Sequence, residues 1–176
     1  MESYQRVASR YLKAFKKGNL TIELVRDGKY ADGRANIGVE LQRDGEYMGH
    51  VHAKLARYSL AELESDFECW EDIESMSEEY WFEELYEYDE YNDDLTVCVV
   101  EVLNSHLEEG LRGQKCGIQM YLELAKQAYR ENGKSSFLFL PNYCHKNATS
   151  PEARRVWSSL AKKFYAEGDV IVIDRL

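Results

Sequence analysis

The sequence predicts a mixed α/β domain, in which a mostly antiparallel central sheet is flanked by helices. An apolar, β-branched run at residues 95–103 is typical of a strand buried on both faces. Two alternating runs joined by Asp44 and Gly45 indicate a β-hairpin. Apolar residues at helical spacing after Gly117 indicate an amphipathic helix. Because 176 residues can bury a core, we expect a single domain over residues 1–176.

The N-terminal part predicts a helix, a short strand and the hairpin. Apolar residues recur at helical spacing over residues 3–17, and Gly18 is a typical helix end. Residues 21–25 are mostly apolar or β-branched, which predicts a short strand. The hairpin strands are expected over residues 35–43 and 47–55.

Residues 58–94 are predicted to form an acidic helical insert rich in aromatic residues. Ser59 and Glu62 form a capping box, which predicts a helix through residue 70. A second helix is expected from about Ser77, with acidic residues in its first turn.

The C-terminal part alternates strand and helix. Asn132 and Gly133 are typical of a helix end, and residues 135–140 read as a buried strand. Ser150 followed by Pro151 predicts the start of the next helix, and a final strand is expected at residues 170–173.

Negative charge is concentrated in one segment. Sixteen of the 32 acidic residues lie within residues 62–94, and neither Lys nor Arg occurs between Arg57 and Arg112. The rest of the chain sets 22 basic residues against 16 acidic ones, a formal balance of +6. Sequence-independent nucleic-acid binding needs a basic surface, so we expect no direct contact with nucleic acid.

Several roles are open for this acidic face over residues 62–94. It could attract a cationic amine substrate to an entrance, or dock on a basic protein. It could also imitate nucleic-acid charge toward a nucleic-acid-binding partner. An ordinary solvated acidic surface over a normal core explains the pattern as well.

The composition indicates a cytoplasmic protein without a metal. No run approaches the roughly 20 apolar residues of a membrane span, and the N-terminus lacks a signal-peptide core. The spacing of the four cysteines fits neither disulfides nor a zinc site, so we expect reduced thiols. His50 and His52 should share one strand face, but no third ligand is near in sequence.

Residues 95–130 read as strand, glycine-bearing turn and helix. A helix N-terminus offers N–H groups without intrahelical partners and a partial positive charge. Glycines let the backbone approach a ligand closely, and Arg112 and Lys115 add two cations at the same place. This pattern predicts a cradle for a phosphate or pyrophosphate, and a plain turn with two solvated basic residues is the alternative.

The run from Gln114 through Gly117 to Gln119 resembles the Q/R-x-x-G-x-G/A signature of the GNAT superfamily of acyl-CoA-dependent N-acetyltransferases. Gln119 departs from the family pattern, which has Gly or Ala there. The resemblance covers roughly residues 95–176, and implies that this half binds the co-substrate acetyl-CoA. The residues it implicates in this binding are Val102, Leu103, Arg112, Gly113, Gln114, Lys115, Cys116, Gly117, Ile118 and Gln119.

The same resemblance implies how the arm of the coenzyme lies. In the family, the strand corresponding to residues 135–140 splays from the strand before the turn, and the acyl-pantetheine arm lies in the gap like an extra strand. The family also places its first two helices between its first two strands, which differs from the helix order predicted for this chain.

The resemblance implies a mechanism with named candidates. Glu101 is the first candidate for the base that deprotonates the amine, and His106, expected in the following loop, is the second. A backbone N–H near Val102 or Leu103 would hold the oxyanion. Trp157 stands where the family often has the tyrosine that protonates the leaving thiolate, so the nearby tyrosines in sequence, Tyr143 and Tyr165, are the expected substitutes.

Two functions follow from these expectations. The leading one is an acyl-CoA-dependent N-acetyltransferase that moves an acetyl group to an amine of a protein or small molecule. The alternative is a non-catalytic protein-binding module of the same fold that uses its acidic surface, as an inhibitor or nucleic-acid mimic.

Overall fold

A computed structural model of the chain describes residues 12–17, 19–29, 34–77, 96–142 and 150–176. The strands are β1 Leu12–Lys17, β2 Leu20–Lys29, β3 Ala35–Arg43, β4 Glu46–Tyr58, β5 Val97–Leu107, β6 Phe137–Leu140, β7 Tyr165–Glu167 and β8 Val170–Ile173. The helices are α1 Leu60–Asp66, α2 Trp70–Ser77, α3 Cys116–Glu131 and α4 Pro151–Ala161, with a 3₁₀ turn at Glu109–Leu111.

All eight strands belong to one sheet, in the order β1-β2-β3-β4-β5-β6-β8-β7. β5 and β6 run parallel, and the other neighbouring pairs are antiparallel. The parallel pair is joined through α3, as a parallel connection requires a crossover. The predicted mixed, mostly antiparallel α/β fold is therefore confirmed.

Each face of the sheet carries its own apolar core. Helices α3 and α4 cover one face, where Val100, Leu124 and Trp157 belong to a single buried cluster with the inward residues of β2, β3 and β4. Helices α1 and α2 cover part of the opposite face, packing Leu63 and Ile73 on β5, β6 and β8. On this second face, the side chains of β3 and β4 are mostly polar and more exposed than those that face α3 and α4.

A β-bulge at Leu103 changes the alternation of β5. Ala53 of β4 pairs with Val102, whereas His52 pairs with Asn104, so Leu103 has no opposite residue on β4. Val102 therefore faces α3, and after the bulge Ser105 faces α3 as well, since it accepts a hydrogen bond from Tyr121. Asn104 and His106 are consequently directed to the opposite face.

Several local predictions are confirmed. The hairpin turns at Asp44 and Gly45, which have positive φ values of 54° and 86°. Ser59 and Glu62 form the full capping box of α1. The hydroxyl of Ser150 accepts from the backbone N–H of Ala153 at the start of α4.

The predicted N-terminal helix is wrong over residues 12–17. This segment forms β1, which pairs antiparallel with β2, and residues 3–11 lie outside the described part of the chain. Backbone pairing along β2 replaces the hydrogen bonds that a helix would have made locally, so the tertiary context overrides the periodic pattern.

The boundaries of the acidic helices also differ from the prediction. α1 ends at Asp66 instead of residue 70, since Phe67 adopts extended backbone angles and is buried beside the ring of Tyr58. α2 then begins at Trp70 and ends at Ser77, where the second helix was expected to begin. Residues 78–95, which hold the rest of the predicted insert, lie outside the described residues.

Candidate functional site

Strands β5 and β6 separate at the end of their parallel pairing. Their parallel pairing ends with Glu101 opposite Leu140, and Pro141 then follows, which has no backbone N–H to donate. β5 continues for six more residues, to Leu107. Across this opening, the Asn142 side-chain amide donates a hydrogen bond to the Leu103 carbonyl at 3.0 Å.

The loop after β5 delivers the N-terminus of α3 to this opening. Gly113 has a φ of 78°, and Lys115, the residue before the helix, has the left-handed angles φ 63° and ψ 8°. A lysine in this conformation is strained by roughly 1–2 kcal/mol, which the surrounding loop must offset. The Lys115 side chain does not cap the helix. The first N–H groups of α3 therefore have no acceptor within the helix and none from that side chain.

Two predicted coenzyme-binding residues shape the loop. The Gln114 side-chain amide donates to the Gly110 carbonyl at 2.8 Å, which folds this side chain back onto the loop. The Nε of Arg112 donates to the Leu107 carbonyl at a long 3.4 Å. Both Arg112 and Lys115 are exposed, so their charges reach solvent in front of the helix end.

Gln119 is directed along α3. Its side-chain amide donates to the Glu123 carboxylate at 3.0 Å, one helical turn further on. Glu123 is 3% exposed, and it also forms an ion pair with Lys126 at 2.8 Å. The long side chain at this position of the signature is thus held by a buried carboxylate within the helix.

Gly117 has a packing role. A Cβ built on Gly117 would lie 3.3 Å from Cγ2 of Val156 in α4. The missing side chain therefore lets the two helices approach each other closely. Helix contact is thus sufficient to explain a glycine here, whatever the loop binds.

The first turn of α4 lies within electrostatic range of the same loop. The pKa of Glu152 is lowered by its own backbone N–H and by the Ser150 hydroxyl, and the charges of Arg112 and Arg155 act in the same direction. A carboxylate at a helix N-terminus is favoured in this way. Glu152 therefore shares the positive field of Arg112.

The candidate bases lie on one sheet face, on either side of the bulge. Glu101 is 8% exposed and stands opposite Lys54 of β4. His106 belongs to β5 itself, so its expected position in a loop is wrong, and its Nε2 lies 3.3 Å from the Glu108 carboxylate. Pairing with β4 extends β5 past the polar residues that suggested a loop. Tyr143, the third catalytic candidate, lies outside the described residues.

Trp157 and Tyr121 form an aromatic contact that the sequence did not reveal. Trp157 is 5% exposed and packs on Phe139 at a centroid distance of 5.0 Å. Its ring meets the ring of Tyr121 edge-on at 5.6 Å. The Tyr121 hydroxyl donates to the Ser105 hydroxyl at 3.1 Å, and burial raises the pKa of Tyr121 despite this hydrogen bond. A tyrosine hydroxyl thus lies beside the free end of β5.

Imidazole rings gather on the opposite face of β4 and β5. We call Tyr47, His50, His52, Asn104 and His106 the histidine face. The rings of His50 and His52 stack at 4.4 Å, which confirms that they share a strand face, and the Tyr47 ring stacks on His106 at 6.5 Å. Among the described residues, no group of three or more potential ligands could hold a metal ion.

Hydrogen bonds fix His50 within the histidine face. Its Nε2 lies 2.8 Å from Oδ1 of Asn104, and its Nδ1 contacts the Tyr47 hydroxyl. With an amide oxygen as acceptor, Nε2 carries the proton, so Nδ1 of a neutral ring accepts from the hydroxyl. His50 is therefore held as one tautomer by two partners.

A shallow hollow of about 120 Å³ adjoins the bulge on this face. It is lined by Val25, Asn36, Ile37, Gly38, His52, Ala53, Leu103 and Asn104. Gly38 makes room for the imidazole of His52, since a Cβ there would lie 2.7 Å from its Cδ2. The hollow thus reaches the bulge residue Leu103.

The cysteines within the described part of the chain are structural in character. Cys69, Cys98 and Cys116 are buried and outside disulfides, and Cys144 lies in the part not described. Burial raises the pKa of the Cys98 thiol to about 11, although Arg57 opposes this shift. A thiol with a raised pKa is a poor nucleophile.

No protein-family model matches the chain, and no curated protein matches it. Across the described residues, no helix is both long and apolar enough to cross a membrane.

Proposed function

We propose that this chain is a cytoplasmic, acyl-CoA-dependent N-acetyltransferase of the GNAT type, with acetyl-CoA bound by its C-terminal half. The observation that carries the proposal is the separation of β5 from β6 beyond Glu101, next to an uncapped helix N-terminus. A pantetheine arm can pair with the β5 edge left by β6. The pyrophosphate then meets the α3 N–H groups and the charges of Arg112 and Lys115.

The order of strands supports this assignment. The parallel strands β5 and β6 are joined through a helix, and β6 is followed in the sheet by an antiparallel hairpin of β7 and β8. The N-terminal half departs from the family layout, because four described strands precede α1 and α2. The rebuilt half is the one expected to carry the acceptor side.

The reaction removes two protons from the acceptor nitrogen. The base, Glu101 or His106, takes one proton from the ammonium group, and the nitrogen then forms a bond to the acetyl carbonyl carbon. A backbone N–H near Val102 or Leu103 stabilises the oxyanion. The carbon–sulfur bond then breaks, and the thiolate takes the second proton. The products are the acetylated amine, the coenzyme thiol and one proton held by the base.

The proton for the thiolate needs a donor other than Trp157. The indole is buried in the core, and its N–H has no useful acidity. Tyr121, whose hydroxyl lies beside Ser105, is a candidate that would give its proton to the thiolate and regain the second proton of the acceptor nitrogen, and Tyr143 stays a candidate for the same role. Comparison of Tyr121→Phe with Tyr143→Phe in turnover assays separates the two.

Thermal unfolding with and without acetyl-CoA tests the proposal. Acetyl-CoA at a hundredfold its Kd should stabilise the protein by about 2.7 kcal/mol. The double variant Arg112→Glu/Lys115→Glu should lose this stabilisation. The matched control Arg130→Glu/Lys134→Glu changes the charge equally at the far end of α3, about 24 Å away, and should keep it. No shift with the wild-type protein would exclude the transferase function.

The alternative function is a protein-binding module that uses its acidic surface. Exposed carboxylates on α1 and α2 favour it, including Glu64 and Glu71. It requires binding of a basic partner without acetyl-CoA binding. Calorimetry with an oligolysine peptide tests it, and Glu64→Gln/Glu71→Gln should weaken binding. Affinity that is unchanged by these substitutions or by salt would exclude an acidic docking surface on α1 and α2.

A further inference from the structure

The hollow beside Leu103 lies where an acceptor would meet the acetyl group. Leu103 and Asn104 of β5 form one wall, at the point where β5 has left β6. His52 and Gly38 form the floor on β4 and β3. The hollow opens on the sheet face opposite α3 and α4, whereas the loop before α3 supplies the proposed coenzyme site. The two ligands can therefore approach the bulge from different sides.

The surroundings of this hollow carry negative charge. Glu40 stands opposite His50 across β3 and β4, and the Glu108 carboxylate lies 3.3 Å from His106. Burial is the main cause of the raised pKa of Tyr47, and the charges of Glu40 and Glu108 raise that pKa further. Both carboxylates therefore act electrostatically at the outer end of the histidine face.

Lys54, a basic residue on this face, contacts an aromatic ring. The ammonium of Lys54 lies over the ring of Tyr58 at 5.4 Å from its centroid. Exposed acidic residues of α1 and α2 stand on the same side of the sheet, including Glu64 and Glu71. A cation approaching the histidine face thus meets a favourable field.

The distance along β4 suggests how far apart the two positive groups of a ligand would lie. His52 in the hollow and His50 beside Glu40 are two residues apart on β4, about 6.6 Å along a strand. This spacing is comparable with the separation of the nitrogens in a five-carbon diamine. The rings of His50 and His52, which stack on each other at 4.4 Å, line the path between these two points.

Resting on the proposed acetyltransferase function, we propose that the histidine face binds the acceptor, and that the acceptor is an aliphatic primary amine with a second positive charge. The reacting nitrogen lies in the hollow beside Leu103. The second cation lies beside Glu40, next to His50 and within the field of Glu108. Diamines and lysine-like side chains near another cation belong to this chemical class.

Three acceptors of one length test the charge requirement. They are 1,5-diaminopentane, 5-aminopentan-1-ol and 5-aminopentanoate, with a positive, neutral and negative distal group. Release of the coenzyme thiol gives kcat/KM for each. The wild-type enzyme should prefer the diamine to the alcohol by about tenfold, and the alcohol to the acid, because the field acts on the distal group.

Charge variants locate this preference. Glu40→Gln/Glu108→Gln should remove the preference, so that the ratio of kcat/KM for the diamine to kcat/KM for the alcohol falls to about one. The control Glu167→Gln/Asp169→Asn alters two exposed carboxylates at the far edge of the sheet, and should keep the full preference. Equal use of the three acceptors, preference for the acid, or acetylation of none of them would overturn the inference.

A binding measurement separates this inference from the proposed function. Three of the four histidines lie on the histidine face, so their ring signals in NMR spectra report on it. Titration with 1,5-diaminopentane should move these signals, and 5-aminopentanoate should not. If acetyl-CoA stabilises the protein but the diamine moves no histidine signal, the transferase stands and the acceptor class is wrong. If the diamine binds but acetyl-CoA fails to stabilise, the proposed function fails instead.

Discussion

The two halves of strand β5 differ in nearly every property except backbone conformation. From Val97 to Val102 the strand is buried, apolar apart from Glu101, and paired with β4 and then β6. From Leu103 to His106 it is exposed, polar apart from Leu103, and it keeps β4 as a strand partner. The first half contributes stability, and under the proposed function the second half binds the ligands. One strand would thus serve as core and as binding surface.

The largest expected effect comes from the core around the first half. Phe139 pairs with Val100, is fully buried and contacts Trp157, so Phe139→Ala should lower the free energy of unfolding by about 3–5 kcal/mol. Leu103→Ala, at 38% exposure in the second half, should change it by less than about 0.5 kcal/mol. Urea unfolding measures both. Similar losses for the two variants would contradict the division of β5.

A smaller loss of stability is expected at Gly168, where the turn between β7 and β8 contacts α2. Gly168 has a φ of 54°, and a Cβ there would overlap the Asp72 carboxylate of α2. Gly168→Ala should therefore destabilise the protein by about 1–2 kcal/mol, since the left-handed backbone strains a residue with a Cβ and the Asp72 carboxylate must also move aside. Gly45→Ala, at φ 86° with open space around it, should cost about 1 kcal/mol through backbone strain alone. A cost no greater at Gly168 than at Gly45 would show that Asp72 does not hold this turn.

The second half is joined to α3 through one hydroxyl pair. Tyr121→Phe removes the hydrogen bond to Ser105, and should lower the free energy of unfolding by about 0.5–1.5 kcal/mol. A double-mutant cycle with Ser105→Ala measures the coupling, which should account for most of this loss. Strictly additive effects would mean that the two hydroxyls act independently.

The last predicted effect is a loss of stability at high pH, and it comes from a residue in the first half of β5. The pKa of Cys98 is raised by burial from the ordinary 9.0 to about 11 in the folded protein. The folded chain therefore holds this proton more tightly than the unfolded chain, so the contribution is complete below pH 9 and is lost as pH rises through 11. At pH 10 the loss should be about 1 kcal/mol.

Paired unfolding experiments isolate the Cys98 contribution from the tyrosines that titrate in the same range. The wild type and Cys98→Ala are compared under reducing conditions at pH 8 and pH 10. The stability difference between them should narrow at the higher pH, because the variant lacks the thiol. A difference that stays constant would indicate that the Cys98 thiol does not lose its proton there.

Signals carried by short stretches of sequence predicted turns and helix caps well. The turn at Asp44 and Gly45 and the caps at Ser59 and Ser150 depend on neighbouring residues, so the local pattern identified them. β1 depends on pairing with a separate strand, which periodicity cannot reveal. Its residues therefore read as a helix.

The candidate site was predictable in part for the same reason. The loop around Gly113 and Lys115 was visible as a run of glycines and cations, and its left-handed residues fit that pattern. The histidine face and the contact between Tyr121 and Ser105 both depend on the bulge at Leu103. A bulge residue cannot be recognised from the sequence, because one extra residue in a strand changes neither the composition nor the periodicity of so short a segment.

The bulge makes position 103 tolerant of a change in chain length as well as of a change in side chain. Leu103 is exposed, so many amino acids can replace it at little cost. Because Leu103 has no opposite residue on β4, its deletion would let Asn104 follow Val102 directly, and Ser105 and His106 would keep their present faces. Deleting Ser105 instead would move His106 opposite Val51 and turn it inward against α3. A single-codon deletion is thus harmless to the strand tip at the bulge and inverts it two residues later.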